Sequence, residues 1–134
     1  MPIEHRVDSA TSILFVTRSG HIKTRDEELA LDHRMKDPLI APGIPVLVDC
    51  RRVNPAESTK TVKYLAKQVT NLAAELQCGP VAIIVSTDVD YGMARMYMML
   101  TELAHPNSMV FRDYEDGMAW LISQVGYKRG AIPD

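Results

Sequence analysis

Two short runs rich in apolar and β-branched residues, IEHRVD and SILFVTRSG, open the chain and are separated by the small polar stretch Ser9 to Thr11. That pattern predicts a β-hairpin. TRDE at Thr24 to Glu27 has the spacing of a capping box, in which hydroxyl and carboxylate satisfy the first free amides of a helix. The helix is expected to run to about Met35, before Pro38, Pro42 and Pro45 exclude it. PVLVDC is a continuous apolar run, as in a strand buried on both faces. From Asn54 the period becomes helical: Asn54 is placed to cap, Pro55 suits the first helical position and Glu57 follows the cap by three residues. Val62, Leu65, Ala66, Val69, Leu72, Ala73 and Leu76 form one apolar stripe, ended by Gly79 and Pro80. VAIIVS is a further buried strand, Asp88 or Asp90 opens a methionine-rich helix, SMVFR is the last strand, and Asp113 is placed to cap a closing helix through DGMAWLI.

The predicted order is β-β-α-β-α-β-α-β-α. Strands alternating with helices predict a single α/β domain over residues 1–125, with a tail over 126–134. Its sheet is expected to be mixed and four- or five-stranded, an N-terminal hairpin followed by parallel strands, with about four helices.

The methionine-rich stretch DYGMARMYMML divides between two faces at 100° per residue. Met93, Met96, Tyr97, Leu100, Leu103 and Ala104 gather on the face expected to be core, while Arg95, Met98 and Glu102 fall opposite, with Met99 at the boundary. A methionine on a polar face beside an arginine is compatible with a homodimer contact formed by Arg95, Met98 and Met99, since both residue types are enriched in interfaces. The inward methionines admit two readings. They are ordinary packing, or, being flexible thioethers, Met93, Met96 and Tyr97 line a ligand pocket together with Met118 and Trp120 of the closing helix.

Composition narrows the classes. The 134 residues are 46% hydrophobic and 24% charged with a formal net charge of −2, so the chain reads as a globular domain with no general attraction to nucleic acid. MPIEHRVD is charged where a signal peptide is apolar, and no run reaches the roughly 18 apolar residues of a spanning helix, which makes the cytoplasm the expected location. Cys50 and Cys78 make no C-x-x-C pair, and His5, His21, His33 and His105 show no ligand spacing and read as solvated, so no metal and no cofactor is expected. Cys50 beside Arg51 and Arg52 is either an activated thiol or an inert half-buried one. Asp49, Asp88, Asp90 and Asp113 follow strands; the last three read as helix caps, and Asp49 is unexplained. There is no phosphate loop, dinucleotide fingerprint or G-x-S-x-G, and no catalytic function is expected. Lys60, Lys63 and Lys67 share one face of the second helix, with Arg51 and Arg52 nearby. They form a solvated face or a contact with an anionic membrane surface.

VLVD, AIIVSTDVDYGMARMY and VFRDYEDGMAWL, in this element order, resemble the SpoIIAA-like family of the STAS class, over about Ile3 to Ile122. The resemblance implies a sheet with helices mainly on one side, frequent dimerisation, no established catalytic activity and a fold relationship to CRAL-TRIO lipid-binding domains. Against the related anti-sigma factor antagonists, ESTK at Glu57 to Lys60 occupies the place of a phosphorylated helix start, with Thr59, or its neighbour Ser58, as the acceptor. Lys60 stands where that motif has glycine and Glu57 where it has aspartate. The expected function is a non-catalytic binding domain for an apolar or amphipathic, lipid-like ligand, with peripheral membrane contact. The alternative is a phospho-regulated interaction module.

Overall fold

The computed structural model describes residues 2–77 and 79–130, with no side-chain description beyond Val125. Among these, the order is β1 (Ile3–Asp8), β2 (Ile13–Gly20), α1 (Thr24–Met35), β3 (Val46–Val53), α2 (Thr59–Asn71), the single turn α3 (Ala73–Leu76), β4 (Val81–Ile84), α4 (Asp88–Leu100), β5 (Ser108–Phe111) and α5 (Tyr114–Gly130). The strands lie side by side in the order in which the chain makes them, β1 antiparallel to β2 and all later pairs parallel. α5 continues through residues 126–130 of the expected tail; residues 131–134, like Cys78, lie outside the described residues.

This unreversed strand order decides the layers. Parallel crossovers are right-handed, and three successive ones stepping in one direction put α1, α2 and α4 on the same side of the sheet. α5, which follows the last strand, is left to cover the other side. Side chains alternate accordingly. Leu14, Val16, Val46, Cys50, Val81, Ile83 and Val85 face the three-helix side with Ala30 and Ala94, whereas Ile13, Leu47, Ala82 and Ile84 pack against Leu121 on the α5 side. β4 is buried at every position, which is why it reads as an uninterrupted apolar run.

Several local expectations change. α1 is capped from Asp26, whose carboxylate accepts the Lys23 N–H at 2.9 Å, so the pair begins one residue before Thr24 and leaves Glu27 to point inward. α2 does not start at Asn54: Ser58 is its cap, its hydroxyl accepting the Thr61 N–H at 3.1 Å, and residues 54–58 form the approach. Thr87, rather than Asp88 or Asp90, caps α4, whereas Asp113 accepts the Asp116 N–H as expected. The inward face of α4 is rotated from the expected one. Asp90, Ala94 and Thr101 are buried and Tyr97 and Met98 pack on the core, while Leu100 (47% exposed) and Leu103 (96%) face outward. The polar Asp90 and Thr101 are inward because each has a local partner: Asp90 accepts from Thr87 and the Thr101 hydroxyl donates to the Tyr97 carbonyl.

Candidate functional site

A doubly wound sheet binds ligands in the crevice where its strand order reverses. This sheet has no reversal, so that crevice is absent and the available space lies between the sheet and the three-helix layer. Several of the facing side chains there are short. Val16, Val46, Val48 and Val81 look across at Val62, Val69 and Ala94, with the longer Leu65, Met93 and Tyr97 beside them. The result is a cavity of about 190 Å³ with an apolar middle.

Its two ends are unlike. At the C-terminal edge of the parallel strands stand Arg18, Glu57, Cys50 and Asp90. Arg18 is buried and donates to both carboxylate oxygens of Glu27, at 2.8 and 2.5 Å, and to Glu57 at 2.6 Å. Burial opposes the Arg18 charge, but the two carboxylates outweigh it and hold the guanidinium firmly protonated. Burial raises the Glu27 carboxyl above its usual range despite Arg18, and the neighbouring Glu57 adds to the rise. Cys50 is buried, and its thiol is pushed up to about 12 by desolvation, so it is inert rather than activated. At the N-terminal edge stand Arg34, Asp37, Gln77 and His105. His5 and Asp37 pair at 2.7 Å, and His105 is buried, so neither histidine is the solvated side chain expected.

The residues expected to form one pocket are divided. Met93 and Tyr97 line the cavity; Met96 is half-buried but does not. Met118 and Trp120 belong to the opposite side of the sheet, where Trp120 meets Phe111 with ring centroids 5.7 Å apart. The sheet itself separates the two groups, because the unreversed strand order gives α4 and α5 opposite faces. Met98 packs inward, leaving Arg95 and Met99 of the expected dimer contact exposed; Met99 (73% exposed) forms an apolar patch with Leu100 and Leu103 at the end of α4.

The basic set also changes. Lys60, Lys63 and Lys67 are exposed along α2 and Arg52 is exposed at the end of β3. Arg51 is committed: it donates to Asp49 at 2.9 and 2.8 Å and lies 4.8 Å from the centre of the Tyr114 ring. This accounts for Asp49. Burial alone would raise its carboxyl, and the bonds from Arg51 bring it below the usual range. Ser58 and Thr59 are exposed at the start of α2, with the Ser58 hydroxyl occupied in capping.

Sequence reasoning missed Arg18, Glu27 and His105. Arg18 continues the inward period of Leu14 and Val16, and Glu27 stands three and four residues before Ala30 and Leu31, so both positions carried a burial signal hidden by their charge. His105 lies in the turn after α4 and carried none.

Among the described residues, no group of three or more histidine, cysteine or acidic side chains has the geometry to hold a metal ion, and no helix is long and apolar enough to cross a membrane. No family model and no curated protein matches the sequence. Among solved structures the chain is similar to an uncharacterized protein of the DUF3478 family with a SpoIIAA-like fold from Shewanella loihica PV-4, with a TM-score of 0.59 and 19% identity over 89% of this chain and 91% of that one. Five strands in unreversed order, an antiparallel first pair and this similarity together show that the chain has the SpoIIAA-like fold.

Proposed function

We infer that the protein is a non-catalytic binding domain whose ligand is a small amphiphile held between the sheet and α1, α2 and α4. The observation that carries this reading is the cavity of about 190 Å³, apolar in the middle and polar at both ends. An apolar cavity of roughly 150 Å³ holds a benzene-sized guest, so this one suits a chain of about six to eight carbons. A long-chain lipid would need the helices to part. Exposed Lys60, Lys63 and Lys67 would bring the domain to an anionic surface, each contributing on the order of 1 kcal/mol.

Calorimetric titration with octanoate and 1-octanol tests the reading, alongside native mass spectrometry of protein purified without detergent. Saturable binding is expected. Ala94→Phe, which places a ring in the cavity, should abolish it while changing stability by no more than about 1 kcal/mol, because the added volume fills existing space. Absence of both a saturable response and a retained ligand would dispose of the reading.

A second feature favours self-association: Met99, Leu100 and Leu103 are exposed large apolar side chains within five residues of chain at the end of α4. If it is a dimer contact, Leu103→Glu should convert the dimer to monomer in native mass spectra, and an unchanged mass distribution would rule the patch out.

A further inference from the structure

We propose that the free edge of β1 is an interface at which a second copy of this chain pairs antiparallel with it, joining two five-stranded sheets into one. The surface is separate from the cavity and from the exposed apolar side chains at the end of α4.

β1 ends the sheet, with β2 on one side and no strand on the other among the described residues. Which of its main-chain groups face outward follows from the bonds of its neighbours. The Ser19 N–H donates to the Pro2 carbonyl at 2.8 Å, and the Leu14 N–H turns away toward the Pro45 carbonyl at 2.9 Å. Pro2, Glu4, Arg6 and Asp8 therefore face β2, and the N–H and C=O groups of Ile3, His5 and Val7 point to the open side. Such an edge is a template for another strand unless something guards it. A groove lined by Ile3, Glu4, His5, Arg6, Phe15 and His33 lies against it. On the three-helix side the strand is already held: Ile3 is buried, the His5 ring is bonded to Asp37 at 2.7 Å, and Val7 packs on the core.

The charges on the other side choose the partner and the register. Outward-facing residues must oppose one another for their hydrogen bonds to close, so the allowed registers differ by two residues. With His5 opposite the partner's His5, Ile3 meets the partner's Val7 and all three outward residues are paired. Glu4 then lies directly opposite the partner's Arg6, in the closer, non-hydrogen-bonded position where side chains interact most. One step either way sets Glu4 against the partner's Glu4, or Arg6 against the partner's Arg6. An edge guarded by one sign of charge repels its own copy; this edge complements its copy, and in one register. Glu4 and Arg6 are exposed, since α5 on their side packs over β3, β4 and β5. The Arg6 guanidinium lies 4.5 Å from the centre of the Phe15 ring, and its ion pair with Asp8 is long, at 3.8 Å, and solvent-exposed. Asp8 is itself engaged by the Thr11 N–H and hydroxyl at 2.9 and 2.6 Å.

Native mass spectrometry and sedimentation of the full chain test the proposal. The wild type is expected to dimerise. Glu4→Arg and Arg6→Glu each set like charges opposite one another at two symmetric positions, and each should weaken the dimer roughly tenfold or more. The variant carrying both substitutions restores the pairing and should dimerise like the wild type. A mixture of the two single variants should form the heterodimer in preference to either homodimer, because their charges complement each other across the axis. His5→Pro removes the central outward N–H while leaving the bonds to β2, and should abolish pairing. Should it fail to fold, the charge series, made on exposed side chains, decides the same point. A monomeric wild type, single charge variants that dimerise unchanged, or a mixture without heterodimer would overturn the proposal, and loss of the dimer in Leu103→Glu alone would assign the contact to α4 instead.

Discussion

Arg18→Met should destabilise the protein by about 3–5 kcal/mol, the loss found when one member of a buried ion pair is removed. The guanidinium is 4% exposed and holds Glu27, itself 1% exposed, together with Glu57. Methionine replaces the stem and leaves both carboxylates facing each other without a counter-charge. The penalty belongs to the stranded acids, so Arg18→Met combined with Glu27→Leu and Glu57→Leu should recover much of it. Chemical denaturation at constant slope would measure both.

The pH dependence has a definite sign. A carboxyl whose folded pKa lies above its unfolded value favours folding in its protonated form, so the contribution of Glu27 is complete below the unfolded value of 4.5 and disappears as pH rises through the folded one. Removing Arg18 takes away the group that lowers the Glu27 pKa, which enlarges that effect. The penalty of Arg18→Met should therefore shrink on acidification from pH 7 toward 4.5. A penalty independent of pH would mean that packing of the stem, not charge, is what Arg18 supplies. Asp49 has the opposite sign: its depressed carboxyl contributes above pH 3.8, and that contribution is lost as pH falls.

Leu121→Ala should cost about 2–5 kcal/mol and leave ligand affinity unchanged. Leu121 is fully buried between α5 and β4, beside Ala82 and Ile84. This side is closely fitted: a methyl group on Gly117 of α5 would come within 2.3 Å of the Ile84 side chain. Truncation here opens a void that cannot collapse easily, yet the sheet stands between it and the proposed site. Stability curves with and without octanoate separate the two quantities. A change in affinity comparable to the change in stability would show that the two faces of the sheet are coupled.

The fold was legible because its strands and helices differ in period: VAIIVS cannot be read as an amphipathic helix, and the α2 stripe cannot be read as a strand. The site was less legible, for two physical reasons. Charge hid the inward positions of Arg18 and Glu27, since an isolated charged residue is expected outside and only a long-range partner makes it stable inside. Helical phase then misassigned α4. Six apolar residues in sequence looked like one face, but Asp90 and Thr101, satisfied by local hydrogen bonds, occupy the inner surface and turn Leu100 and Leu103 out. Placing Met118 and Trp120 with Met93 failed for a topological reason, because which side of a sheet a helix covers depends on the direction of every crossover before it.

The short valine and alanine side chains beneath α2 and α4 also make this protein responsive to mechanical compression. Space that the chain cannot fill is eliminated when water enters the unfolded state, so the folded form occupies the larger volume. Hydrostatic pressure therefore acts against the three-helix layer before it acts on the close-fitted α5 side, and a guest in the cavity takes up the same volume. Occupancy by the proposed ligand would make the domain less compressible as well as more stable, so bound and empty forms would differ in a bulk property that requires no change of shape.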